Sequence, residues 1–357
     1  MKTILIYFRT LSRNKVFSLI SIGGFSLSLA VVLLLLSFIR SEKQYDRAIP
    51  GVEHIHRIVT NNNLAYVPEQ SRDKLLNDFP QIRSATKVAL GNCPILYKEQ
   101  NFDFRVVHTD SGFFQVFSLP IVSGQRDGLF RDPHQAVITQ NGARKIFGEA
   151  NPIGEILNVS HEYDVEVVAV VQDFPEKSSL QGELFCSAEL RIQYSLTSNG
   201  EKEAYLYNVF MKFHPAYGPE LLQDTLTALV HPYLDWYEGR EYSLHPFKDS
   251  YFDFSIRDGL SHANIKLLSL LGWLSLIILI LAVFNYINLT IAQSTGRLHE
   301  LGVRQVFGAD RPWLIRQFIR EAFFQVVLAL AFVLAIFLRP VLGGILDKEI
   351  DLWMILK

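Results

Sequence analysis

Residues 17–39 carry no charged side chain, and this run restricts the possible folds more than any other feature of the chain. A bilayer's hydrocarbon core is about 30 Å thick, so a helix of about 20 apolar residues crosses it. Inside hydrocarbon every backbone N–H and C=O must bond within the segment, which makes such a run helical. A second run, 267–291, is also uncharged, with Asn285 and Asn288 as its strongly polar members. A third, 322–338, is shorter and holds Gln325. Composition alone leaves the class open, because 34 Lys and Arg against 36 Asp and Glu give a net charge of −2. Placement decides it: the charges fill the long stretch between the first run and the second, as expected for a membrane protein with a polar domain on one side.

Lys and Arg near the ends of spans stay on the cytoplasmic side. Lys2, Arg9, Arg13 and Lys15 precede the first run without an acid among them. Arg297, Arg304, Arg311, Arg316 and Arg320 lie between the second and third runs against fewer acids. Both stretches are therefore expected inside, with the amino terminus cytoplasmic. A cleaved signal peptide is disfavoured, because the first run exceeds the about 7–15 residues of a signal core and no small-x-small site follows it. The apolar residues at 4–11, with Arg9 and Arg13 near lipid phosphates, suggest an interfacial helix leading into the membrane.

The expected organisation is a cytoplasmic amphipathic segment (1–16), a first span (17–39), an extracytoplasmic domain (40–264), a second span (265–291), a cytoplasmic segment (292–320), a third span (321–338) and an extracytoplasmic tail (339–357). Alternation at 52–60, 82–90 and 102–107 predicts strands, and 68–79 reads as a short helix. Further strands are expected at 205–213 and 241–246, with a helix over 219–234 between them. The stretch 109–204 differs, with turn signals at Ser123-Gly124, Asn141-Gly142, Gly148 and Asn151-Pro-Ile-Gly154 and an apolar strand at 165–171. The fold class expected is α-helical transmembrane spans plus a large α+β extracytoplasmic domain of two lobes. One is a split βαβ-type lobe, about 48–108 and 205–255. The other is a β-rich lobe inserted into it, about 109–204.

Three sets of phrases carry a resemblance. At the start stand Arg13-Asn-Lys15, the Ser18 to Ser28 stretch, and Glu42-Lys-Gln-Tyr45-Asp46. In the middle are Phe113-Phe114-Gln-Val-Phe117, Ala136-Val-Ile-Thr139, Lys145-Ile-Phe-Gly148, Asn151-Pro-Ile-Gly154 and Gln172-Asp173-Phe-Pro175. At the end are Asn285-Tyr-Ile-Asn288, Arg297 and Glu300-Leu-Gly302-Val-Arg304-Gln-Val-Phe-Gly308-Ala. In this order and spacing the chain resembles the FtsX/MacB-type permeases of ABC transporters that carry a MacB-like periplasmic core domain.

The resemblance implies a bacterial inner-membrane, multi-pass permease subunit that is not itself an enzyme. It implies a cytosolic ABC ATPase as partner, with ATP and Mg bound there and no cofactor bound by this chain. Pairing as a homodimer or with a second permease half is implied too, as are membrane lipids and a periplasmic or outer-membrane partner. No nucleic-acid partner is expected. It also implies a fourth span, whereas the sequence stops at Lys357 where that span would begin, as an amino-terminal half would. Gln305 stands where the family pattern has lysine.

The residues support this independently. Arg297, Glu300 and Arg304 share one helical face at spacings of three and four. Gly302 and Gly308 remove side chains where another backbone could approach. Such an element suits docking into a cleft of a cytosolic partner, with a solvated, lipid-facing basic loop as the alternative; the resemblance implies that these five are the ATPase-coupling residues, on a coupling helix suited to mechanotransmission. Gly24 and Ser28 form a small-x-x-x-small pair for close helix packing, and Asn285 and Asn288 share a face for hydrogen bonds between helices. No Gly-x-x-x-x-Gly-Lys-Ser/Thr phosphate loop occurs, so ATP hydrolysis would need another chain. His54 and His56 alternate but lack spaced partner ligands, so a surface pair is preferred to a metal site. Cys93 and Cys186 could bridge if the domain is in an oxidising compartment. The alternative from another class is a membrane-anchored extracytoplasmic ligand sensor, although no kinase, cyclase or signalling coiled coil follows the second run.

Overall fold

In the computed structural model residues 15–198, 206–223, 226–230 and 241–295 are described, with isolated positions between 312 and 327. Along the chain come α1 (Lys15–Glu42), β1 (Ile55–Thr60), β2 (Val67–Pro68), α2 (Gln70–Asp78), β3 (Ile82–Tyr97), β4 (Gln100–Thr109) and α3 (Gly112–Val116). Next are β5 (Ile121–Gly124), β6 (Gln135–Thr139), α4 (Gln140–Phe147), β7 (Ile156–Val159), β8 (Tyr163–Val171), β9 (Leu184–Ser187) and α5 (Ala188–Ser198). The last are β10 (Leu206–Phe213), α6 (Glu220–Gln223), α7 (Leu226–Val230), β11 (Tyr242–Pro246) and α8 (Ile265–Thr295). Two compact units result, one of residues 1–41 and 266–357 and an outer unit, Glu42–Ile265.

In the first unit α1 and α8 contain the stretches Gly23–Glu42 and Ile265–Leu289, each long and apolar enough to cross a bilayer. Large apolar side chains stand exposed along both, among them Leu27 at 69 % and Trp273 at 63 %. The third span at 321–338 and the tail at 339–357 lie almost wholly outside the described residues.

The outer unit begins with an antiparallel sheet in the order β11-β1-β10-β3. The β1-α2-β3 unit and the β10-α6-α7-β11 unit interleave, each pair of strands split by a strand of the other, as in a split βαβ lobe. One core lies where Leu75 of α2, Leu222 of α6 and Leu226 and Val230 of α7 meet Ile58, Val209, Met211 and Tyr242 of the strands. The helix expected over 219–234 is thus present as α6 and α7, while 231–234 lies outside the described residues.

The second lobe is a closed ring of six strands, β3-β4-β9-β6-β8-β7 and back to β3. Tyr163, Val165 and Val167 of β8 point into its core while Asp164 and Glu166 face out. A lobe boundary near residue 109 is corrected here. The second half of β3 and all of β4 belong to the ring, and β3 serves both lobes. The strand runs past Leu90 although Gly91 and Pro94 have turn-type composition, because they lie inside the ladder opposite Val106 and Asp103.

Asn141-Gly142 is likewise not a turn but the first turn of α4. Thr139 caps that helix, its hydroxyl accepting from Gly142 N at 3.1 Å. A Cβ on Gly142 would lie 2.9 Å from the Glu183 carbonyl oxygen, so glycine allows α4 to pack against the chain entering β9.

Between the lobes lies an aromatic core of Phe113, Phe114, Phe117, Phe174, Phe185, Phe210 and Phe247. Phe117 meets Phe210 and Phe247 edge-on at 5.4 Å, and Phe113 lies 5.0 Å from Phe185 of β9. The same core takes in Ile49 and Leu260, near the two ends of the unit.

Candidate functional site

Two segments join the outer unit to the apolar helices in the chain: a first strap, residues 42–49, starting from the last residue of α1, and a second strap before α8, residues 250–263. A buried polar network holds both to the outer unit. Glu42 Oε2 accepts from the Tyr251 hydroxyl at 2.6 Å. The Tyr45 ring lies flat on Tyr251, with centroids 3.6 Å apart and planes 3° from parallel. Burial raises the Tyr251 phenol above its ordinary pKa, and the hydrogen bond to Glu42 adds to the shift.

Asp46 is fully buried and adopts the left-handed backbone region, φ 61°, which Asp tolerates better than most residues. Its N–H donates to Lys177 O at 2.9 Å, and Oδ1 accepts from Ser179 N at 2.7 Å and Ser178 Oγ at 3.1 Å. Burial pushes its carboxyl above the usual carboxylate range, outweighing the seryl hydrogen bonds that favour the charged form.

The second strap is held by ions. Arg57 of β1 and Asp258 both have fully buried side chains and pair through Nη1 and Oδ2. Asp258 Oδ1 accepts from Leu260 N at 2.8 Å and faces His262 Nε2 at 2.8 Å. Asn208 of β10 donates to Asp258 O at 2.7 Å. Burial alone would raise the Asp258 carboxyl, but the His262 hydrogen bond and the Arg57 charge hold it below its ordinary value. For His262 burial works downward, and the hydrogen bond and charge of Asp258 win, raising its pKa. Ser261 N donates to Ser179 O at 3.0 Å, and Ala263 N to Tyr251 O at 2.7 Å.

The β8–β9 loop at 177–179 is therefore gripped by both straps: Asp46 bonds to Lys177, Ser178 and Ser179, and Ser261 bonds to Ser179. The acids here are engaged with backbone, hydroxyl and guanidinium donors, an arrangement that fixes chain positions. Among the described residues no group of three or more His, Cys, Asp or Glu side chains could hold a metal ion. His54 ends a 3-10 turn beside Glu53, while His56 is the second residue of β1 and is buried, so the two neither share a strand nor form the expected surface pair.

Arg297, Glu300, Gly302, Arg304 and Gly308 lie outside the described residues. Of the packing candidates, Gly24 and Asn285 come together, since a Cβ on Gly24 would lie 4.0 Å from Asn285 Nδ2. Phe25 and Tyr286, 6.0 Å apart, extend that contact and carried no distinguishing signal in the sequence. Ser28 turns its hydroxyl to Gly24 O of its own helix at 3.0 Å, and Asn288 is exposed. Cys93 and Cys186 are free thiols near one core. Strand β4 runs between theirs, and two interstrand steps exceed the about 4.4–6.8 Å between Cα atoms that a disulfide allows.

The straps were signalled only in part. Glu42, Tyr45 and Asp46 stood in a recognised phrase, but Arg57, Tyr251, Asp258 and His262 did not: Arg57 and Tyr251 have partners 201 and 209 positions away, and Asp258 and His262, four apart, matched no motif.

A split βαβ lobe fused to a closed β-ring, set in the chain between two bilayer-length helices, defines the outer domain of a membrane-anchored protein. Residues 18–229 match the family described as the MacB-like periplasmic core domain, and the chain belongs to that family. It is 25 % identical over 287 residues to the macrolide export ATP-binding/permease protein MacB of Burkholderia lata, covering 78 % of this chain and 39 % of that protein. It is 21 % identical over 232 residues to the ABC transporter permease YknZ of Bacillus subtilis, covering 63 % of this chain and 54 % of that one. The chain thus spans about 39 % and 54 % of these curated relatives. Among solved structures it is similar to the periplasmic region of MacB from Actinobacillus actinomycetemcomitans, at 14 % identity and TM-score 0.42 over 57 % of this chain and 92 % of that one. It is also similar to the extracellular domain of YknZ from Gram-positive bacteria, at 18 % identity and TM-score 0.42 over 53 % of this chain and 98 % of that one.

Proposed function

We propose that this chain is a non-catalytic permease subunit of an ABC transporter, converting ATP hydrolysis by a separate cytosolic ATPase into movement of its periplasmic domain. The observation that carries this reading is the double grip on residues 177–179. A displacement of either strap pulls on the same loop, and through it on the ring and the aromatic core. Relatives named as ABC permeases support it.

In this reading the chain is multi-pass in a bacterial inner membrane with its amino terminus in the cytoplasm. It works as a homodimer or with a second permease half. Arg297, Glu300, Gly302, Arg304 and Gly308 dock on the ATPase, which binds ATP and Mg, while this chain holds no cofactor. Gly24 and Asn285 set the approach of α1 and α8. The output is export, lipoprotein release or mechanotransmission to an envelope partner. The test is co-purification of the full chain with its co-expressed ATPase before and after joint replacement Glu300→Ala and Gly302→Leu. Loss of the complex with the outer domain still folded is expected, and undiminished binding would remove these residues from the interface.

A further inference from the structure

The His262 ring stands between two acceptors. Nε2 faces Asp258 Oδ1 at 2.8 Å, and Nδ1 faces the Ser250 carbonyl oxygen at 2.9 Å. A carbonyl oxygen has no proton to give, and the Asp258 carboxylate already accepts from Arg57 and from Leu260 N. Neutral imidazole donates from one nitrogen only, whereas imidazolium donates from both. The two bonds coexist only when the ring is doubly protonated.

We infer that His262 is a proton-operated latch on the second strap, closed as imidazolium and opened when the ring loses a proton. On deprotonation a lone pair faces either the Ser250 carbonyl or the Asp258 carboxylate, and one of the two bonds is lost. Through Ser250 the latch holds the 3-10 turn Phe247–Phe252, and through Asp258 it holds Arg57 of β1. The strap leading into α8 is thereby loosened at this point, while Arg57 stays paired with Asp258, Arg105 of β4 stays on Gly259 and Ser261, and Phe247 stays in the aromatic core.

The charged groups acting on the ring are Asp258, which favours the proton, and Arg57 of β1, which opposes it. Tyr66 interacts with Asp258 from the segment before β2, and Asp46 of the first strap faces Arg57. The sign follows from the raised pKa of His262. Its stabilisation is complete below the unfolded value of about 6.5 and is lost as pH rises through the higher folded value. Release therefore occurs on the alkaline side.

The test is hydrogen exchange of the full chain in lipid nanodiscs between about pH 6 and pH 9, corrected for intrinsic exchange. Protection of the 250–263 peptide should fall as pH rises, by up to about tenfold for each unit by which the folded pKa exceeds the unfolded one. Peptides from β9 should not change. In His262→Gln the 250–263 peptide should respond little to pH. An unchanged pH response in that variant, or none in the native chain, would overturn the latch. Should the variant fail to fold, the native titration still decides. Because the experiment uses neither nucleotide nor ATPase, its result is independent of the transport reading.

Discussion

The two straps solve the same problem with different chemistry. The first is held by backbone and hydroxyl hydrogen bonds and a stacked ring, around an Asp46 carboxyl whose charge burial disfavours. The second is held by an ionised carboxylate between Arg57 and His262, inside the fold. A buried charge that loses its partner costs far more than a neutral hydrogen bond that is lost. The second strap is therefore the more vulnerable to substitution and pH, and the first the more tolerant.

The largest expected effect comes from stranding Arg57. Asp258→Ala leaves the guanidinium buried without its counter-charge and should cost about 3–5 kcal/mol, read by denaturant unfolding of the full chain. The joint replacement Arg57→Met with Asp258→Leu should cost less than Asp258→Ala alone. Additive costs would show that the pair is not coupled, and the contrast between the straps would lose its basis.

Where the second strap meets the first, Tyr251→Phe keeps the ring stacked on Tyr45 and removes the hydroxyl that donates to Glu42, whose side chain is partly exposed. A loss of about 1 kcal/mol is expected. A loss near that of Asp258→Ala would mean that the two straps are equally charge-dependent.

The smallest effect belongs to Asp46→Asn. Asparagine tolerates the left-handed backbone, keeps an oxygen for Ser178 and Ser179, and removes a charge that burial opposes. The change near neutral pH should be within about 1 kcal/mol of either sign. The pH profiles should also separate the two acids. Burial holds the folded pKa of Asp46 above the ordinary carboxylate value, so native stability falls as pH rises from the unfolded value through the folded one, and Asp46→Asn should remove this slope. Asp258 has a folded pKa below 3.8, so its contribution is present above the unfolded value and disappears only as pH falls through the lower folded one.

Much of the framework was legible in the sequence because it follows local pattern. Residues 17–39 and 267–291 announce bilayer-length helices by length and lack of charge, β4 announces itself by alternation, and β8 by its apolar run. What was hidden depends on pairing at a distance. Nothing local marks β3 as a strand shared by two lobes, since Gly91 and Pro94 argue for a break until Val106 and Asp103 are seen across the ladder. Asn141-Gly142 reads as a turn until Thr139 is seen capping a helix there. The straps show the same limit: Arg57 and Asp258 are 201 positions apart, and a buried ion pair of that span leaves no periodicity to read.

Both straps close on one loop and should open with it. Hydrogen exchange at the amides of Asp46, Ser179 and Ser261 in the full chain tests it directly, since these three N–H groups donate bonds of the double grip, to Lys177 O, Asp46 Oδ1 and Ser179 O. One shared opening free energy is expected for all three, lowered equally by Asp258→Asn. Faster exchange at Ser261 alone, with Asp46 and Ser179 as protected as before, would show two independent fastenings and contradict it.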